Sequence, residues 1–493
     1  MASAIMPANA QPRTRIELID PATLESKSEL TVDGYLNTAR TVEGDVRLVV
    51  ATAGPTFDFE QPENPNSVES LTAADAANRK IINDSKLEDW IPTGWLGEDR
   101  ETMCRGFGVP AEFSGFSMLG IAGVEIKDGQ LSQRSMAGVA ADSGSVYASA
   151  DHLYVATSRW QWESFAAVEN GDAGEGGSTE IHRFNISDVA ATKYEGSGSV
   201  VGTLLNSYSM DEYKDVLRVA TTAETWNQQE STSESHLTTL RLEGSELLAI
   251  GRVSGLGKGE TIQSARFVGD RGYVVTFRQT DPLYVLDLSD PADPKVSGEL
   301  KVTGFSEYLH PVGEHRILGV GPEADNEGRV TGYQASMFDV SDPAAPKQLS
   351  RIQLSSGSGG GSLQYDPHAF LFWAKSNIAV LPVSGYAPSQ ACPQDAFCDS
   401  YVPETYSSRA VVIGLGDELR EQARISHETD LNTDAYRTQI TRSLVIGDYL
   451  YTVSSRGLAQ SNMADWATSD YVLFPEVAPF DDSYPRPRPE IAE

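Results

Sequence analysis

Two consecutive stretches between Gly259 and Leu354 share one layout, and any fold for this chain has to use that layout twice. The first copy comprises residues 264–277, 282–288, the turn Ser289-Asp290-Pro291-Ala292-Asp293-Pro294-Lys295, and 296–302. The second comprises residues 308–320, 334–340, the turn Ser341-Asp342-Pro343-Ala344-Ala345-Pro346-Lys347, and 348–354. Residues 273–277 and 283–288 are of strand length and rich in β-branched and aromatic side chains. Asp290-Pro291 and Asp293-Pro294 punctuate the gap that follows, because proline presets φ and removes a backbone donor while aspartate caps turns. Pro343 and Pro346 repeat the device.

Each copy therefore reads as four short strands separated by tight turns, the unit of a β-propeller blade. Asp287 recurs as Asp339 after about 50 residues, the length of a four-stranded repeat with one enlarged loop. A helical solenoid of that period would need long runs of 3.6-residue periodicity, for which these turns leave no room. A turn followed by an apolar strand recurs along the chain, at Glu43-Gly44-Asp45, Ala150-Asp151, Lys214-Asp215, Gly269-Asp270, Gly313-Glu314, Ser376-Asn377 and Gly447-Asp448. These seven landmarks predict an all-β propeller of seven to eight four-stranded blades. A chain of 493 residues usually needs more than one core, but each added blade brings its own sheet-to-sheet interface.

The expected organisation is a disordered segment over 1–14, the propeller over 15–474, and a proline-rich disordered tail over 475–493. Before the first landmark, residues 15–20 and 26–32 read as the outer half of a blade whose inner strands are missing. Either this half completes the C-terminal blade, giving seven, or it belongs to an eighth whose beginning lies upstream. The final copy has strands enough of its own, which favours a truncated start. Insertions are expected at about 55–113, 159–178 and 385–407. In the first, residues 73–82 suit a short helix that Leu71-Thr72 can cap.

Composition narrows the partners. With 38 Lys and Arg against 70 Asp and Glu, the net charge of −32 repels phosphate backbones and anionic lipid heads, so nucleic-acid binding is not expected. No apolar run is long enough to span a bilayer. The N-terminal residues lack the basic region and apolar stretch of a signal peptide, which taken literally leaves the chain in the cytoplasm. Of the three cysteines, Cys392 and Cys398 are spaced to close a small loop by a disulfide, the alternative being two free thiols, while Cys104 has no sequence partner.

Propellers bind ligands on loops at the mouth of the central channel, so the residues near each innermost strand are the candidates. These include Asp211 and Tyr213, Glu260, Arg266, Tyr308 and His310, Asp366 and His368, and Tyr436 and Arg437. Two histidines with carboxylates match what a divalent ion such as calcium or a transition metal accepts; strand capping and mutual hydrogen bonding account for the same residues without a ligand. His310 takes the place that Arg266 holds in the preceding copy, counting four back from Glu314 and Asp270. No Gly-x-Ser-x-Gly elbow and no phosphate loop opening a helix occurs, and Asp325 to Gly328 lacks the full spacing of a calcium loop. No catalytic residue is assigned, and no cofactor is required.

The wording of residues 267–311, with Met337-Phe338-Asp339-Val340-Ser341-Asp342-Pro343 and Asp366-Pro367-His368-Ala369-Phe370-Leu371-Phe372-Trp373, resembles the secreted prokaryotic proteins with a C-terminal β-propeller distantly related to WD repeats. The resemblance runs from about residue 15 to 474 and is densest over 260–385. It implies an extracellular or cell-envelope propeller, and the missing signal then points again to a truncated start. The main expectation is a non-enzymatic, monomeric binding or scaffold module for a protein or carbohydrate at the cell surface. Two others stand beside it. One is a propeller hydrolase or lactonase using a metal held by His310, His368, Glu260 and Asp366; the other is a divalent-cation-binding structural module.

Overall fold

The computed structural model describes residues 12–52, 57–86, 89–90, 93–96, 99–102, 106–115, 117–159, 174–226, 231–277, 281–325, 327–357, 359–386, 406–416, 418–427 and 435–475. They fall into two compact units, residues 1–278 with 282–299 and residues 279–281 with 300–493.

The repeated turns have a shared physical cause. In the first copy Leu288 N donates to Asp270 O at 2.8 Å; in the second Val340 N donates to His315 O at 2.8 Å. Ile186 to Asp151 and Met463 to Asp448 repeat the bond, at 2.8 and 3.0 Å. The residue after each third strand is thus tied to the landmark turn before the second. Asp287 and Asp339 then accept from Ser289 N and Ser341 N at 2.9 Å, so the side chain closes the turn before the fourth strand. The registers agree: Arg271 pairs with Asp287 as Arg316 pairs with Asp339, and Arg266 pairs with Tyr273 as His310 pairs with Leu318. His310 and Arg266 are equivalent positions.

In the first unit, β1 (Arg13–Ile19) and β2 (Ser26–Asp33) form a hairpin, followed by β3 (Tyr35–Val42) and β4 (Asp45–Thr52). The insertion supplies α1 (Val68–Asp84), β5 (Thr93–Leu96), β6 (Asp99–Thr102) and β7 (Phe107–Gly108) before β8 (Met118–Lys127) and β9 (Gln130–Ala140). The strand order β1-β2-β5-β6 corrects the expected half-blade, because two strands from the insertion extend the hairpin to four. Strands β3, β4, β8 and β9 make a blade, with β7 parallel to β9. The next blade is β10 (Ser145–Ala148), β11 (His152–Arg159), β13 (Ser178–Asn185) and β14 (Lys193–Val201), with β12 (Gly174–Gly176) lying on a neighbour. That neighbour is β15 (Met210–Tyr213), β16 (Val216–Trp226), β17 (Ser231–Glu243) and β18 (Glu246–Leu256). Strands β19 (Thr261–Val268), β20 (Arg271–Phe277), β21 (Asp281–Asp287) and β22 (Lys295–Val302) follow. Apolar faces pack sheet on sheet: Leu119, Ile121 and Val139 share one buried cluster with Leu153, Val155 and Phe184.

The second unit contains three such sheets. They are β23 (Tyr308–Pro311), β24 (Arg316–Ala324), β25 (Val330–Asp339) and β26 (Lys347–Ser356); β27 (Leu371–Trp373), β28 (Ile378–Tyr386), β29 (Tyr406–Leu415) and β30 (Leu419–Ser426); and β31 (Ile440–Ile446), β32 (Tyr449–Ser454), β33 (Gly457–Asn462) and β34 (Thr468–Leu473). The last is complete from its own four strands. All seven landmarks enter second strands, namely β4, β11, β16, β20, β24, β28 and β32.

Helix α1 is longer than expected and starts earlier, because Ser67 caps it by accepting from Ser70 N, while Thr72 bonds back to Val68 O within the first turn. None of its residues is buried. Among the described residues no helix is long and apolar enough to cross a membrane.

Candidate functional site

The densest polar constellation of the first unit joins two consecutive blades. His152 opens β11, Arg183 and Glu195 lie on β13 and β14, Glu212 lies on β15, and Asp215 occupies the turn into β16. His152 Nδ1 stands 2.9 Å from Glu212 Oε1, and Arg183 Nη2 stands 2.7 Å from both His152 Nε2 and Asp215 Oδ1. Arg183 Nε donates to Glu195 at 2.9 Å, and Ser149 Oγ donates to Glu212 at 2.7 Å. This network assigns the tautomer: Nδ1–H donates to the carboxylate, leaving Nε2 to accept from the guanidinium. Burial alone would raise the Glu212 carboxyl, but His152, Ser149 and Arg183 together hold it below the usual value.

His152, Glu212 and Asp215 have ligand-type atoms within 4.8 Å of one another, a set that would suit a divalent ion. Arg183 lies among them as a built-in cation, and the arrangement acts as a clamp between sheets. The turn holding Asp215 has Lys214 at φ 52° and Asp215 at φ 61°. This is the left-handed geometry that a two-residue hairpin needs, met here without glycine. The sequence offered one signal, since Asp215 belongs to a landmark turn and His152 directly follows another, but nothing in it linked those turns to Arg183.

The residues expected at a channel mouth are arranged differently. In the first unit Glu260 Oε2 accepts from Thr276 Oγ1 at 2.5 Å, and the Arg266 guanidinium lies 4.7 Å over the Tyr208 ring. Asp211 pairs with the buried Arg218, whose guanidinium also stacks 5.1 Å from Tyr213. In the second unit Asp366 pairs with Arg442, His368 is exposed, and the Arg437 carbonyl accepts from Arg456 N at 3.0 Å. His310, His368 and Asp366 do not bring three ligand atoms together. Cys104, Cys392, Cys398 and the Tyr436 side chain lie outside the described residues.

What the second unit does assemble is aromatic. The His310 ring lies 4.7 Å from Phe370 and 4.8 Å from Phe372, and Tyr308 lies 4.9 Å from Phe370. Tyr308 is buried while His310, Phe370 and Phe372 are half-buried, so the cluster reaches the surface at the heads of two successive blades. Tyr365, nearby in sequence, is 89% exposed. Beside Tyr308, Glu307 accepts a short hydrogen bond from the fully buried Tyr333 hydroxyl. Burial pushes the Glu307 carboxyl up to about 7, against the lowering effect of that bond. Sequence reading passed over Glu307 because only the fold brings Tyr333 to it.

Among the described residues, seven four-stranded blades, each with a landmark turn entering its second strand, define the class as a propeller, and comparison makes the assignment specific. The chain belongs to the beta propeller domain family, whose model matches residues 3–466. It is 32% identical over 284 residues to an uncharacterized protein of Methanocaldococcus jannaschii, covering 58% of this chain and 39% of that one. It is 41% identical over 228 residues to an uncharacterized protein of Archaeoglobus fulgidus, covering 46% and 33% respectively. The chain thus spans less than half the length of these curated relatives. Among solved structures it is similar to the periplasmic gluconolactonase of Pseudomonas aeruginosa, with a TM-score of 0.40 and 11% identity over 72% of this chain and 91% of that one.

Proposed function

We propose that this propeller is a binding module of the cell surface or envelope, and that it takes a protein or carbohydrate ligand on the aromatic cluster of its C-terminal unit. The observation that carries the reading is the half-buried set His310, Phe370 and Phe372 around Tyr308. Aromatic rings partly open to solvent stack on sugar faces and anchor protein interfaces at low entropic cost. Asp366, His368 and Arg442 lie on the segments leading into β27 and on β31, and offer polar recognition. A metal-dependent hydrolase is the weaker reading, because the Asp366 carboxylate is committed to Arg442 and His310 to ring contacts.

The test is a screen of the purified chain against immobilised glycans and peptides, followed by titration of Phe372→Ala and His310→Ala. Each substitution is expected to weaken a ligand found in the screen at least tenfold, on the order of 1.4 kcal/mol. Unchanged affinity in both would place the binding surface elsewhere. Export is checked separately, by fractionating cells that express the gene at its natural locus.

A further inference from the structure

The most anomalous groups in the first unit lie away from both clusters above. Glu180 and His182 alternate along β13, and both are 0% exposed. Neither Glu180 oxygen and neither His182 nitrogen has a hydrogen-bond partner among the described residues. Buried side-chain polar atoms are paired in the large majority of cases, so four orphans on two adjacent ionisable side chains call for an explanation. A fifth orphan, the Tyr194 hydroxyl, lies on the same face. The register pairs Glu180 with Ser199, His182 with Ser197 and Phe184 with Tyr194, and directly opposed residues share a side of the sheet. That side also carries Val155 and Leu153, which pack on Leu119 and Ile121 of the preceding blade. The orphans are therefore enclosed between two sheets.

The insertion closes the enclosure. Strand β7 lies so near that a Cβ on Gly108 would fall 1.8 Å from the Tyr194 ring. Ala111 N donates to Ser197 Oγ at 3.0 Å, and Glu112 pairs with Arg159 beside it. Burial holds the Glu180 carboxyl above its usual value, against the lowering pull of the neighbouring Ser197 hydroxyl and of Arg159.

From this geometry we infer that Glu180 and His182 hold a first-row divalent metal ion between the two blades, with the Tyr194 and Ser197 hydroxyls beside it. A cation would give each orphan lone pair a partner and offset the charge of a buried carboxylate. A ligand set of imidazole nitrogen with carboxylate oxygen suits zinc or a similar transition ion better than calcium or magnesium. The ion would fasten the inserted β7 segment to the blade interface. This inference does not depend on the aromatic cluster or on any ligand bound there.

The experiment is metal analysis of the full chain by inductively coupled plasma mass spectrometry, together with Glu180→Gln and His182→Gln. About one zinc or similar ion per chain is expected in the unaltered protein, falling at least tenfold in either variant. Removing the ion with a chelator should lower the melting temperature of the unaltered chain, and added zinc should restore it. Metal-free protein whose melting is indifferent to chelator and zinc would overturn the proposal and leave buried water as the partner. Full metal content in both variants would also overturn it, by placing the ion elsewhere. Should the variants fail to fold, X-ray absorption on the unaltered chain decides: a shell of nitrogen and oxygen with imidazole scattering supports the site, and its absence refutes it.

Discussion

Arg183 Nη2 lies 2.7 Å from His152 Nε2, and so a guanidinium stands where His152, Glu212 and Asp215 would otherwise suit a divalent ion. With only 5% of its side chain exposed, Arg183 pairs with two carboxylates, Glu195 on β14 and Asp215 in the turn before β16. Removing Arg183 leaves the partly buried Glu195 without its ion pair, while the largely exposed Asp215 is compensated by water, a loss of about 1–3 kcal/mol. Arg183→Met is expected to lose stability of that order in urea unfolding. It should also acquire a rise in melting temperature on adding zinc or calcium, because the three ligand-type residues are then unopposed. A variant that unfolds normally and ignores divalent ions would show that the clamp is not electrostatic.

Glu307 makes stability depend on pH near neutrality. Its carboxyl titrates near 7 in the folded chain and near 4.5 unfolded, so between those values the folded state holds a proton that the unfolded state has released. Stability therefore falls as pH rises from about 4.5 to about 7 and then levels off. Glu307→Gln keeps an acceptor for the Tyr333 hydroxyl and cannot ionise. It is expected to be more stable than the unaltered chain at pH 8, by on the order of 2–3 kcal/mol, and equal to it near pH 4.5. Denaturant unfolding at the two pH values checks this, and a difference independent of pH would be the contrary result.

These two sites differ in how much of them was legible in sequence. The repeat and its Asp-Pro turns disclosed the blades, because local turn chemistry and strand composition dictate a four-stranded unit wherever they recur. The equivalence of His310 and Arg266 was legible for the same reason, and the strand registers match it. The hairpin β1–β2 was legible as two strands but not in its partners, since β5 and β6 come from an insertion without the repeat's punctuation. Arg183 and Glu307 depend on contacts across blades or across a sheet. Sequence spacing carries no information about these once the strands have folded back several times. The aromatic cluster is intermediate: His310 was singled out, but Phe370 and Phe372 entered only as part of the wording that carries the family resemblance.

His427 is 1% exposed, with Nδ1 2.7 Å from Ser454 Oγ and Nε2 2.9 Å from Thr452 Oγ1. Burial drives its pKa down to about 4. As pH falls from about 6.5 toward 4, the unfolded chain takes up a proton that the folded chain refuses, so stability is lost across that window. His427→Gln should flatten the acid limb of a stability–pH curve by about one proton's slope, while leaving stability at pH 8 within about 2 kcal/mol of the parent. An unchanged slope would mean that His427 takes up its proton in the folded chain as readily as in the unfolded one.

Gly257 tests the packing around Glu260. Its φ of +57° is one that residues with a Cβ rarely adopt, and a Cβ there would lie 2.3 Å from Thr276 Oγ1 and 2.5 Å from Glu260 Oε2. Those two atoms are hydrogen-bonded to each other, and Gly257 N itself donates to Tyr284 Oη at 3.1 Å, so neither neighbour can move without breaking a bond. Gly257→Ala is expected to destabilise by about 2 kcal/mol or more, from backbone strain and overpacking together. Thr276→Ala removes the Oγ1 atom that this Cβ would meet first, at the cost of its hydrogen bond to Glu260. In the double variant it should therefore recover part of the loss, and a double-mutant cycle in urea measures that recovery. If the two losses simply add, the cost of Gly257→Ala lies in its backbone conformation and not in the contact with Thr276 and Glu260.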